Sequence, residues 1–117
     1  MADEIYHPTT REEHQRRVSL APETHEAFSA FSKAVFAEGA LDERTKQLIA
    51  VAVAHTTQCA YCIQGHTKVA LRKGATEEER MEAIWGAAEM RAGGAYAHST
   101  LAMAEMIKAA ERDTPHE

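Results

Sequence analysis

The sequence predicts an all-α protein folded as one domain, and three observations carry that expectation. Apolar residues recur at spacings of three and four along most of the chain, helix start and stop signals bracket these stretches, and no segment sustains a β alternation. A length of 117 residues suits a single domain. The apolar fraction of 44% can support a core, but three Phe, three Tyr and one Trp supply few large side chains. Ala-rich helices pack closely and bury little area each, so a monomer is expected to be thinly stabilised and to self-associate.

Residues 1–20 are rich in charge and without a sustained period, which reads as an extended arm with at most a short helical turn, anchored by Tyr6, Val18 or Leu20. The helical domain is expected over residues 21–112, with 113–117 as a frayed tail. Its first helix follows Pro22 and carries Ala27, Phe28, Phe31, Ala34 and Val35 on one face, with Gly39 as a natural stop. Asp42 is a good N-cap for a second helix to about His55, whose LIAVAVA segment is apolar all round and is expected to be the buried central element. Thr56, Thr57 and Gln58 form a polar break, and a third helix runs from near Cys59 to Arg72 or Lys73, ending at Gly74. Thr76 and Glu79 make a capping-box pattern for a fourth helix with Met81, Ile84, Trp85 and Ala88 as its apolar stripe. Gly93-Gly94 predicts a kink or turn before a fifth helix holding Leu101, Met103, Ala104, Met106 and Ile107.

Composition narrows the function. Thirteen basic against eighteen acidic residues give a net charge of −5, which favours neither a nucleic-acid backbone nor an anionic membrane as partner. The longest strongly apolar run, residues 48–54, is far too short to span a bilayer, and the polar, acidic start MADEIYHPTT is unlike a secretory signal. The expected location is therefore the cytoplasm, where a close Cys pair is more often catalytic or metal-binding than a structural staple.

That pair lies in Cys59-Ala60-Tyr61-Cys62-Ile63-Gln64-Gly65-His66. At about 100° per residue, positions 59, 62 and 66 fall in one narrow sector of a helix, and Cα atoms three apart lie roughly 5 Å from each other, inside the range of a disulfide. Dithiol and disulfide can thus interconvert with little backbone motion. Free N–H groups of the first turn favour a thiolate there, and His66, one turn beyond Cys62, can take its proton. Cys62 is accordingly the expected nucleophile, with Cys59 resolving the sulfenate or mixed disulfide. Two other readings stand beside this one: a zinc site using Cys59, Cys62, His66 and either His55 or His98, and inert buried thiols. No metal or other cofactor is expected under the redox reading. Tyr61 points to another helix face, with packing as its default role. Glu82 and Glu89 on the fourth helix read as solvated, Arg91 and His98 as surface contacts, and His55 as a cap on its own helix.

The stretch LDERTKQLIAVAVAHTTQCAYCIQGHTKVALRKGATEEERMEAI, in which an apolar helix leads into C-x-x-C-x-x-x-H and then ALRKGAT-E-E-E, resembles the AhpD-like and carboxymuconolactone decarboxylase family. The resemblance implies an all-helical fold assembling into trimers or hexamers. It implies peroxidase or disulfide-exchange activity on a hydroperoxide or disulfide substrate, with an external dithiol as reductant. It also implies that Cys59 resolves, Cys62 attacks, and His66 joins an upstream Glu in a proton relay. The Glu is replaced: twelve residues before Cys59 stands Gln47, an amide that cannot take a proton. Glu43, one turn earlier, or Glu82 is the candidate substitute, and Tyr61 replaces a His often found between the two Cys. The decarboxylase branch, acting on a carboxylated lactone with His66 as acid or base, is the alternative within the same fold. A zinc-stabilised, non-enzymatic helical module is the alternative outside it.

Overall fold

A computed structural model describes residues 5–113 of the protein. Five helices follow one another: α1 Arg11–Leu20, α2 Pro22–Phe36, α3 Glu43–Thr57, α4 Ala60–Arg72 and α5 Glu77–Asp113. No strand occurs among the described residues. The expected all-α class is what the chain adopts.

The caps follow the chemistry of the sequence. Asp42 accepts the Thr45 N–H at 2.7 Å to open α3. Thr76 and Glu79 exchange side-chain and backbone hydrogen bonds of 3.0 and 2.9 Å to open α5. Gly74 takes φ +94° after α4, its N–H reaching Leu71 O while Ala75 N–H reaches Ala70 O. That pair of bonds is a Schellman ending, and it turns the chain so that Ala70 and Ala75 enter the core together. Residues 11–20, expected as an extended arm, instead form α1, because Thr10 and Glu13 make a full capping box that satisfies the first free N–H groups.

The core is small. Val51, Ala70 and Ala75 are buried at its centre, with Leu48 and Ile84 packed against them, so α3 lies between α4 and the first half of α5. Two ion pairs lace the same three helices, Arg44 with Glu79 and Lys73 with Glu43 at 2.6 Å. The all-round apolar segment of α3 is not wholly buried, contrary to expectation. Val51 and Ala54 face inward, while Ile49 and Val53 stay about half exposed on the side of α3 that opens toward the end of α2.

The expected break at Gly93-Gly94 is absent: α5 runs unbroken for 37 residues. Each Gly costs about 1 kcal/mol of helix propensity, but the Ala- and Met-rich flanks are strong helix formers and carry the ladder through. The distal half of α5 projects from the core with Tyr96, Leu101, Met103, Met106 and Ile107 exposed, and Phe28 and Phe31 of α2 are exposed as well. The radius of gyration is 21.8 Å, against about 13 Å for a compact chain near this length. No helix of the described residues is long and apolar enough to cross a membrane.

Acid is expected to loosen the helix starts. Hydrogen bonds from Thr45 hold Asp42 below its ordinary value of 3.8. The Thr76 N–H, and after it Arg44, hold Glu79 below 4.5. Groups whose pKa is depressed by folding bind fewer protons in the folded chain, so their contribution is complete above the ordinary values and is lost as pH falls through the lower folded-state ones. Thermal melts should therefore shift down as pH falls below about 4.5, and Asp42→Asn should flatten part of that slope. An Asp42→Asn variant with an unchanged acid slope would remove Asp42 from this account.

Candidate active site

The site is built where α3 hands over to α4. Helix α3 continues through Thr57, and the turn falls on Gln58, which adopts the left-handed conformation with φ 58°. A positive φ at a non-glycine residue is uncommon. Here it reverses the chain tightly enough to place Cys59 as the N-cap of α4 and Cys62 three residues in. The Cys59 sulfur accepts the Cys62 N–H at 3.2 Å, in the role a Ser or Thr oxygen usually fills. Cys59 and Cys62 are joined as a disulfide with Cα atoms 5.2 Å apart. When the bond is reduced, the same N–H and the dipole of α4 favour a thiolate at the helix start.

His66 stands one turn beyond Cys62. Its Nδ1 donates to Gln47 Oε1 at 2.8 Å, and Gln47 is 5% exposed, the one buried polar side chain among the described residues. With Nδ1 occupied as donor, Nε2 of the neutral ring is the free acceptor. The ring is also covered on one side by Phe36, at a centroid distance of 5.2 Å. Phe36 is held there because Lys46 Nζ donates to Val35 O and Ala37 O at 2.8 and 2.6 Å, pinning the end of α2 onto α3.

Cys62 and His66 open onto one cavity of about 410 Å3. Its walls are Val35, Phe36, Ile49, Ala50, Val53 and Ala54, with Thr57 and Lys46 at the edge. The exposed side of α3 is thus the floor of this cavity. The one sequence signal for it is a helix apolar on all faces, a pattern that complete burial would also produce.

The other candidates lie elsewhere. Glu43 is held by Lys73, and Glu82 is exposed on α5; neither lines the cavity. The hydrogen-bond partner of the His66 imidazole is Gln47. Tyr61 faces away from the cavity, donating to His7 O at 2.9 Å and meeting Tyr6 edge to face at 5.9 Å. His55 Nδ1 and His98 Nδ1 each bond a carbonyl four residues back in their own helices, Val51 O and Gly94 O. Among the described residues no group of three or more His, Cys, Asp or Glu is placed to hold a metal ion.

A helical protein with a Cys-x-x-Cys at a helix start and a His one turn on is the class that fold and site define. Residues 22–105 match the carboxymuconolactone decarboxylase family, and the chain belongs to that family. It is 71% identical over 79 residues to "Uncharacterized protein 4 in cox locus" of Paracoccus denitrificans, covering 68% of this chain and 71% of that one. Among solved structures, a protein from Methanobacterium thermoautotrophicum superposes with a TM-score of 0.70 at 39% identity, over 76% of this chain and 97% of that one. The apo form of a carboxymuconolactone decarboxylase family protein from Legionella pneumophila gives a TM-score of 0.64 at 35% identity, over 68% and 70% of the two chains.

Proposed function

We propose that this protein is a thiol-dependent peroxidase that cycles Cys59 and Cys62 between dithiol and disulfide. The observation that carries the reading is the shared cavity: Cys62 and His66 line one apolar pocket, and Cys59 is bonded to Cys62 behind it. His66 Nε2 takes the Cys62 proton, and the thiolate attacks the terminal oxygen of a hydroperoxide. The O–O bond breaks, Cys62 becomes a sulfenic acid, and the departing alkoxide takes up a proton as an alcohol. The Cys59 thiol then displaces water from the sulfenic acid to close the disulfide, and two electrons from an external dithiol reopen it. Apolar walls favour an organic hydroperoxide over hydrogen peroxide, since burying an alkyl group there gains about 0.8 kcal/mol per CH2. Such a cycle belongs in a reducing compartment, consistent with a cytoplasmic location.

The test is titration of the fully reduced protein with one equivalent of cumene hydroperoxide. Both thiols should disappear together, with a mass loss of about two hydrogens and no gain of oxygen. Thiols that persist, or a stable oxygen adduct with a free second thiol, would overturn the cycle.

Self-association is part of the same proposal. Between Gly93 and Ala110 the only charged residues are Glu105 and Lys108, so the projecting half of α5 is apolar nearly all round and calls for a covering partner. A second copy supplies it, as a homo-oligomer does. Leu101→Glu with Met106→Glu should convert the assembly to a smaller species by light scattering at micromolar concentration. A wild-type chain that is already monomeric there would refute the assembly.

A further inference from the structure

The cavity that Cys62 and His66 share carries one fixed charge that the peroxide cycle leaves unused. Lys46 lines it together with apolar side chains, and no Asp or Glu stands among its walls. An ammonium has three donors. Two are spent on Val35 O and Ala37 O, at 2.8 and 2.6 Å, where α2 ends. The carbonyls of a helix end offset roughly half a unit of charge, so about half of the positive charge remains. None of the ion pairs among the described residues includes Lys46. A residual cation beside apolar walls attracts an anion more strongly than a lysine in open solvent does.

The place of Lys46 in the fold sets what that anion belongs to. Cys59 N–H meets Ala54 O at 3.0 Å and His66 meets Gln47, so α4 runs back along α3. Lys46, next to Gln47, therefore lies at the His66 end of the cavity. Cys62 is one turn away, about 6 Å along α4. Phe36 sits between the two residues whose carbonyls Lys46 holds, and its ring forms the wall beside His66. A para-substituted benzene ring separates its two substituents by about one helical turn.

We infer that Lys46 selects hydroperoxides bearing a carboxylate, with the anion at Lys46 and the O–O bond at Cys62. The inference rests on the thiol cycle proposed above and names the substrate class for it. The Cys62 thiolate attacks the terminal peroxide oxygen and the O–O bond breaks. The departing alkoxide takes up a proton, leaving a hydroxy acid and a Cys62 sulfenic acid, and the external dithiol supplies the two electrons that close the cycle. The carboxylate makes and breaks no bond. Its contact with Lys46 is the same before and during the attack, so it acts on KM rather than on kcat.

The experiment measures peroxide consumption by the full chain with dithiothreitol in excess. The two substrates are cumene hydroperoxide bearing a para carboxylate and the methyl ester of that compound. The acid should show a KM roughly five- to tenfold below that of the ester at similar kcat, and added salt should narrow the gap. Lys46→Arg retains the charge and should keep the preference, whereas Lys46→Gln should bring the KM ratio to about one. Because Lys46 also ties down α2, the KM ratio, rather than either rate, carries the test. Equal KM values in the wild-type chain, or a preference for the acid that survives in Lys46→Gln, would overturn the inference and leave the cycle standing. If neither hydroperoxide is consumed the cycle falls, and calorimetry with para-isopropylbenzoate on the disulfide form then decides the matter. Binding of that acid without binding of its methyl ester would uphold the anion site, and equal or absent binding would overturn it.

Discussion

Cys62→Ser is expected to reduce thiol-dependent peroxide consumption to the uncatalysed background, while Cys59→Ser should complete one turnover and stop. The asymmetry follows from position. Cys62 lines the apolar cavity beside His66, whereas Cys59 caps α4 with its sulfur on the Cys62 N–H. A hydroxyl at residue 62 is not ionised by an imidazole to any useful extent, and no sulfur remains on the cavity wall to accept the oxygen. In Cys59→Ser the sulfenic acid forms and has no resolving thiol, so it should be trapped by dimedone at one equivalent per chain. A dimedone adduct on residue 59 in the Cys62→Ser variant, with turnover retained, would reverse the assignment of the two roles.

Gln47 should matter nearly as much. Gln47→Leu removes the acceptor of the His66 Nδ1–H in a buried place. An orphaned buried donor costs about 1 to 3 kcal/mol, and the ring loses the contact that selects its Nε2 acceptor. Peroxide turnover should fall about 10- to 100-fold, in line with those energies and with the usual weight of a positioned base. Gln47→Glu restores a group that can hold a proton, and should keep or raise turnover while adding an ionisation to the pH–rate profile. If Gln47→Leu turns over at the wild-type rate, His66 is not positioned through this bond.

These two residues also mark how far the sequence could be read. The Cys-x-x-Cys and the His one turn on are a local pattern, and helical geometry alone brings them to one side of α4. Asp42, Thr76, Glu79 and Gly74 act as caps through contacts within a few residues, so their roles were equally legible. What depended on tertiary placement was not. Phe36 reaches His66 only because Lys46 ties down the end of α2, a bond across nine and eleven residues that no periodicity announces. The half-exposed state of Ile49 and Val53 reflects the open cavity between α3 and the end of α2, which hydropathy cannot distinguish from burial. Gly93-Gly94 was expected to break a helix on local propensity, and lost to the strong helix formers on either side. The capping box at Thr10 is a local pattern as well, but the helix it opens buries no residue and has no apolar stripe, so its sequence reads as an arm.

The uninterrupted α5 has a metric consequence. At about 1.5 Å per residue its 37 residues form a rod roughly 55 Å long, about three-quarters of the 75 Å greatest extent of the molecule. One end carries Ile84 in the core that supports the cysteines, and the other carries Leu101 and Ile107. With no hinge between them, the rod acts as a ruler. Copies joined only through their far ends would hold their cysteine pairs at a spacing set by the length of α5.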